Sequence, residues 1–193
     1  MLVGTFCFIK GMAQPLADTS GGLVVQKDNI ITSSTVIKIE NMGTKINSNL
    51  AELRPTVSAD GNLLFFICEN HPGNTKYRSV PNSQDIWYAV RDTMGNWSEA
   101  MHMDYPFNTT HYNAVYWISP DKNRILIRGA FNEGAFISKG VSMSYIDEDG
   151  NWTPPNARFI KNYEKYDRGR QSGASMAQDG KTLLLYMTPE KAS

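Results

Sequence analysis

The chain has 193 residues, 41% of them hydrophobic, 20% charged and 11% aromatic, which is enough apolar material for one globular core and too much for an intrinsically disordered chain. Lysine plus arginine equals aspartate plus glutamate at 19 each, so no chain-wide field draws in nucleic acid or an anionic membrane surface. The longest apolar stretch, residues 2–9, falls far below the roughly 20 residues of a membrane-crossing helix, and no transmembrane span is expected.

At the start of the chain, that apolar stretch runs into Gly11, Met12, Ala13 and Gln14, with small residues at the two positions a signal peptidase inspects. This predicts an exported protein with a signal peptide over residues 1–13, cut after Ala13, although no basic segment precedes the run and Lys10 interrupts it. Phe6 stands where a lipoprotein signal needs a small residue before its cysteine, so Cys7 is not expected to carry a lipid. Cleavage would leave Cys68, which in the strand-like run 64–68 reads as a small buried hydrophobe, with no disulfide framework available. Residues 14–51 form an N-terminal segment in which 36–39 reads as the outer strand of a preceding unit.

Beyond residue 51 the chain repeats itself, and repeats decide architecture before local propensity does. Residues 54–66, 115–127 and 173–185 align as strand, Asp-containing turn, strand, with Asp60, Asp121 and Asp179 spaced 61 and 58 apart. Two further markers recur in the same order. Gly95-Asn96-Trp97-Ser98 returns as Gly150-Asn151-Trp152-Thr153, and Ile46-Asn47-Ser48 returns as Phe107-Asn108-Thr109. The runs 85–91 and 141–146 between the markers are apolar and aromatic with breakers on both sides, which reads as further strand. No helical stripe competes. About four strands per roughly 60 residues fits a propeller blade with long loops. The fold class expected is therefore all-β: an arc of about three four-stranded blades at 52–105, 113–161 and 172–193, the last partial. A closed propeller needs about four or more blades, so the arc is incomplete, and its open edges offer self-association.

The motifs Ile46-Asn47-Ser48, Glu52-Leu53-Arg54-Pro55-Thr56-Val57-Ser58-Ala59-Asp60-Gly61-Asn62-Leu63-Leu64-Phe65-Phe66, Asp85-Ile86-Trp87-Tyr88 and Gly95-Asn96-Trp97-Ser98 resemble the WD40-like PD40 repeats of TolB-type propellers. They are similar to those of exported proteins from Bacteroidetes-like bacteria, where such propellers often precede an OmpA-like domain. The second unit departs from the pattern, with Lys122 where glycine is expected. The resemblance implies a non-catalytic binding or scaffold module, periplasmic or outer-membrane-associated, with an envelope protein or cell-wall component as partner. PD40 repeats also occur in the propeller domains of hydrolases, so a peptidase or glycosidase fragment is the alternative reading, and a structural fragment without activity of its own is a third.

Residue chemistry nominates no catalytic group, metal or cofactor. His71, His102 and His111 stand in separate loop-like contexts, no carboxylate pair is singled out by spacing, and neither a Gly-x-Ser-x-Gly elbow nor a Walker-type loop occurs. In a propeller, the loops entering the innermost strands surround the central channel, the usual ligand position. The binding residues expected there are Glu52, Arg54, Tyr112, Asn113, Arg168, Arg170 and Gln171, the arginines and tyrosine offering bidentate and aromatic contacts. The four tryptophans are expected to pack between blades.

Overall fold

The computed structural model describes residues 7–13, 35–161 and 172–187. Every regular element among them is a β-strand, arranged in four antiparallel sheets, none closed on itself. No helix among them is long and apolar enough to cross a membrane.

Strand β1 (Cys7–Ala13), inside the segment expected as a signal peptide, pairs with β2 (Thr35–Asn41). The run 36–39, expected as an outer strand beside another unit, thus lies within a two-stranded sheet of its own. The first large sheet has four strands in sequence order: β3 (Ala51–Val57), β4 (Leu63–Glu69), β5 (Gln84–Val90) and β6 (Met101–His102). The second sheet has three, β7 (Val115–Ile118), β8 (Arg124–Asn132) and β9 (Ala135–Tyr145), and the third pairs β10 (Ser172–Met176) with β11 (Leu183–Met187).

Period-two alternation explains how the sheets stack, because successive strand residues face opposite ways. On β4, Phe65 faces the second sheet, while Leu64, Phe66 and Cys68 face Ile46 and the segment at 42–50. On β8, Ile125 and Ile127 face the first sheet, while Leu126 faces Ala174, Leu183 and Leu185 of the third. Both faces are therefore apolar, which is why these strands read as continuous hydrophobic runs. Burying each large aliphatic or aromatic side chain contributes about 1.5–3 kcal/mol. Val115 and Ile118, three apart, share one face because the β7–β8 register shifts between Val115 and Trp117. The first strands of successive sheets lie side by side, β3 against β7 and β7 against β10, and Thr56 Oγ1 donates to Val115 O at 2.9 Å across the first of these junctions.

The expected turns recur in atomic detail. Ser58 N donates to Leu63 O (2.8 Å), Leu63 N to Ser58 Oγ (2.9 Å) and Asn62 N to Asp60 Oδ1 (3.1 Å). In the next unit Ser119 N donates to Arg124 O (2.9 Å), Arg124 N to Ser119 Oγ (2.9 Å) and Asn123 N to Asp121 Oδ1 (3.2 Å). The third keeps Ala177 N to Thr182 O (2.8 Å) and Lys181 N to Asp179 Oδ1 (2.9 Å). The Gly-Asn-Trp markers also close matching turns, through Asn96 N to Asp92 Oδ1 (2.7 Å) and Asn151 N to Asp147 Oδ1 (2.8 Å).

The second unit does not reach four strands. Residues 152–156 follow β9 through isolated bridges at Ile146–Trp152 and Met143–Asn156 and a Thr153 N to Tyr145 O hydrogen bond of 2.7 Å, without a continuous ladder, for which Pro154 and Pro155 lack the N–H groups. In exchange β8 and β9 run further than the sequence suggests, closed by Glu133 and Gly134, both in the left-handed conformation that a two-residue hairpin demands (φ 49° and 84°).

Candidate functional site

The expected binding residues divide between surface and interior. Arg54 is exposed, at an irregularity where the β3–β4 register shifts between Leu53 and Thr56. Its positive φ of 51° turns the side chain out of the alternation, and its guanidinium lies 5.6 Å from the Tyr116 ring centroid. Tyr112 is exposed and stacks on His111, with centroids 4.0 Å apart and planes 11° from parallel. The Arg128 guanidinium lies over the Tyr112 ring, 5.1 Å from its centroid. A hollow of about 180 Å³ opens beside them, lined by His111, Tyr112, Arg128, Phe136 and Lys139. Burial raises the Tyr116 phenol above its ordinary pKa, opposed by the charges of Arg128 and Arg54. Each arginine thus lies over a tyrosine ring, Arg54 over Tyr116 and Arg128 over Tyr112. Among the described residues, neither guanidinium has a carboxylate within salt-bridge distance. Arg128 and Tyr116 were missed from sequence; the alternation Val115-Tyr116-Trp117, with its neighbours buried, was the available signal.

Glu52 and Asn113, expected at that surface, are buried, with 2% and 4% of their area exposed. They stand 61 residues apart, and each accepts hydrogen bonds from a residue three or four positions earlier in the loop before it. Glu52 Oε1 accepts from Ser48 N at 3.1 Å and from the Ser48 hydroxyl. Asn113 Oδ1 accepts from Thr110 Oγ1 at 2.8 Å, and its amide donates to Gln84 O at 3.0 Å. These side chains hydrogen-bond to backbone and side-chain groups of the protein, while Glu52 Oε2 is buried without a hydrogen-bond partner among the described residues. Arg168, Arg170 and Gln171 lie outside the described residues.

A second polar cluster gathers groups that look unrelated in the sequence. Asp85 is fully buried; its Oδ2 accepts from Thr75 N at 2.6 Å and from His102 Nε2 at 2.8 Å, and Oδ1 accepts from Asn113 Nδ2 at 3.2 Å. Donation from Nε2 to Asp85 fixes the ring orientation of His102 and leaves Nδ1 toward Asp104, 3.4 Å away. Trp87 sits between two imidazoles, 4.2 Å from His71 and 5.0 Å from His102, and donates its Nε1–H to Asn74 at 3.0 Å. Burial lowers the His71 pKa, with the neighbouring His102 charge acting the same way. Asn108, also buried, bridges Ile86 in both directions and reaches Met103 O. Each polar atom of Asp85 and Asn108 is committed to strand or loop, so the cluster has the chemistry of a brace for β5.

A cleft of about 710 Å³ opens between the first and second sheets, with Phe65, Tyr88, Phe107 and Trp152 in its walls and His102 and Asp104 at its rim. The sequence reading assigned Trp152 to packing; it also walls this cleft. Comparisons with protein-family models, curated proteins and solved structures find no match.

Proposed function

We propose that this chain is part of an exported, non-catalytic β-propeller of the PD40 type that binds an envelope protein or cell-wall component at the inner edge of its blades. Support for the architecture comes from antiparallel sheets stacked face to face, with first strands adjacent and one Asp turn repeated at each. The expectation of export comes from the apolar run and small residues that end at Ala13.

The observation that carries the binding reading is the pair Arg54 and Arg128. Both are held by aromatic faces, at 5.6 and 5.1 Å, and neither has a carboxylate neighbour among the described residues. A guanidinium positioned by an aromatic ring keeps its planar fork of donors for a carboxylate or phosphate on a partner. Exposed Tyr112 adds rigid contact area at low entropic cost.

The test is affinity capture from a bacterial envelope fraction with the wild-type chain and an Arg54→Ala/Arg128→Ala variant side by side. The expected result is a discrete partner whose direct titration shows at least about tenfold weaker binding to the variant. Equal capture by both proteins, or none above background, removes the proposal.

A further inference from the structure

The cleft between the first and second sheets lies apart from the inner edge and belongs to no function described above. Its two ends differ in charge. Leu63 pairs with Val90 near one end and Trp87 with His102 near the other, about 10 Å apart along β5 at roughly 3.4 Å per residue. Arg91 follows Val90 and Asp104 follows His102 on the antiparallel strand, so the two stand further apart than that. Lys122, tied to Asp60, is on the Arg91 side, where Arg91 N donates to Asn62 O. Lys122 is engaged by Asp60 at 2.7 Å. Arg91 turns to the Trp97 ring (5.8 Å) and donates its Nε–H to Gly95 O (2.8 Å). Both cations are thus occupied at the far end.

At the near end, the Asp104 side chain is 94% exposed, and its carboxylate lies 3.4 Å from His102 Nδ1. Five phenylalanine, tyrosine and tryptophan rings share the cleft with it: Phe65, Tyr88, Tyr105, Phe107 and Trp152. Phe107 and Trp152 meet edge to face, with centroids 5.9 Å apart and planes at 77°, so the walls are not parallel and form a corner. Aromatic faces carry the negative part of the ring quadrupole and attract a cation, more strongly once it is desolvated. Alkyl groups on an ammonium also gain from the apolar walls. An anion would meet Asp104 with the same sign, and a neutral apolar molecule would leave it unused.

We propose that this cleft binds a small organic cation of the alkylammonium class, its charged head between Asp104 and the rings of Tyr105, Phe107 and Trp152. Carboxylate and ring faces act together: the carboxylate selects charge, and the corner of rings selects a head group carrying methyls over a hydrated ammonium or metal ion.

The probe is choline chloride, titrated into the 193-residue chain and followed by tryptophan fluorescence and calorimetry, with the uncharged isostere 3,3-dimethyl-1-butanol as control. Choline is expected to saturate, at least about tenfold more tightly than the isostere, and to bind about tenfold more weakly to Asp104→Asn. Asp104 and Tyr105 are both exposed, so Asp104→Asn and Tyr105→Ala keep the fold, checked by circular dichroism. Equal affinity for the isostere, unchanged choline binding in both variants, or no saturation by about 50 mM choline overturns the proposal.

Discussion

Lys122 Nζ lies 2.7 Å from Asp60 Oδ2 and so ties the β7–β8 turn to the equivalent turn between β3 and β4. The repeat places glycine at this left-handed position in the other two turns, Gly61 at φ 75° and Gly180 at φ 68°, whereas Lys122 holds φ 61°. A left-handed lysine costs about 1 kcal/mol relative to glycine, and a half-exposed ion pair contributes between about 0 and 1 kcal/mol. Lys122→Gly is therefore expected to be nearly neutral at low ionic strength and stabilising in about 1 M salt, where the pair is screened. Urea midpoints at the two salt concentrations check this, and a low-salt loss above about 1.5 kcal/mol would contradict it.

The same contact governs an acid limb of stability. Lys122 first, then Ser58 and the Asn62 backbone, hold the Asp60 carboxyl far below the usual carboxylate range. A folded value below the unfolded one, about 3.9, means that this contribution is complete above the unfolded value and drains away as pH falls toward the folded one. Asp60→Asn is expected to lose less stability than wild type between about pH 5 and pH 2, measured by urea unfolding at each pH. Parallel curves would rule out the linkage.

Removing the Asp85 carboxylate leaves Thr75 N–H and His102 Nε2–H without that acceptor, while the Asn113 amide keeps Gln84 O and Thr110 O. The cost expected for Asp85→Ala is about 3 kcal/mol, mostly from donors stranded in the interior. Equilibrium denaturation that shows less than about 1 kcal/mol would mean that water enters and replaces the brace.

Burial, reinforced by the nearby Glu52 charge, pushes the Cys68 thiol up to about 12. The thiolate is the reactive species. In a Cys7→Ser background, Cys68 is expected to resist iodoacetamide in the folded protein at pH 8 and to alkylate promptly in denaturing urea. Fast native labelling would show that β4 opens readily.

The Asp turns and Gly-Asn-Trp hairpins were legible because their hydrogen bonds run between residues at most eight apart, as from Leu63 N to Ser58 Oγ and from Ser98 N to Val90 O. Local chemistry writes them directly. What escaped was set by partners distant in sequence. Glu52 and Asn113 looked like channel-mouth residues until their loops folded over them, and His71, Trp87 and His102 converge only after β5 and β6 pair. The outward aim of Arg54 depends on a positive φ that no pattern of polar and apolar letters encodes. The missing fourth strand of the second unit was visible in Pro154 and Pro155, but the repeat argued the other way. The β1–β2 pairing joins segments whose connection spans residues 14–34, beyond the reach of a turn signal.

The second sheet alone among the described sheets has other sheets against both of its faces, through Ile125 and Ile127 on one side and Leu126, Val141 and Met143 on the other. In a stack where each layer touches only its neighbours, loosening proceeds inward from the flanks. Either outer sheet can fray while the other still shields β8, so the amides of Ile125, Leu126 and Ile127 exchange with solvent last. Their rate is the clock for opening of the whole stack, while exchange along β10–β11 reports only its nearest layer.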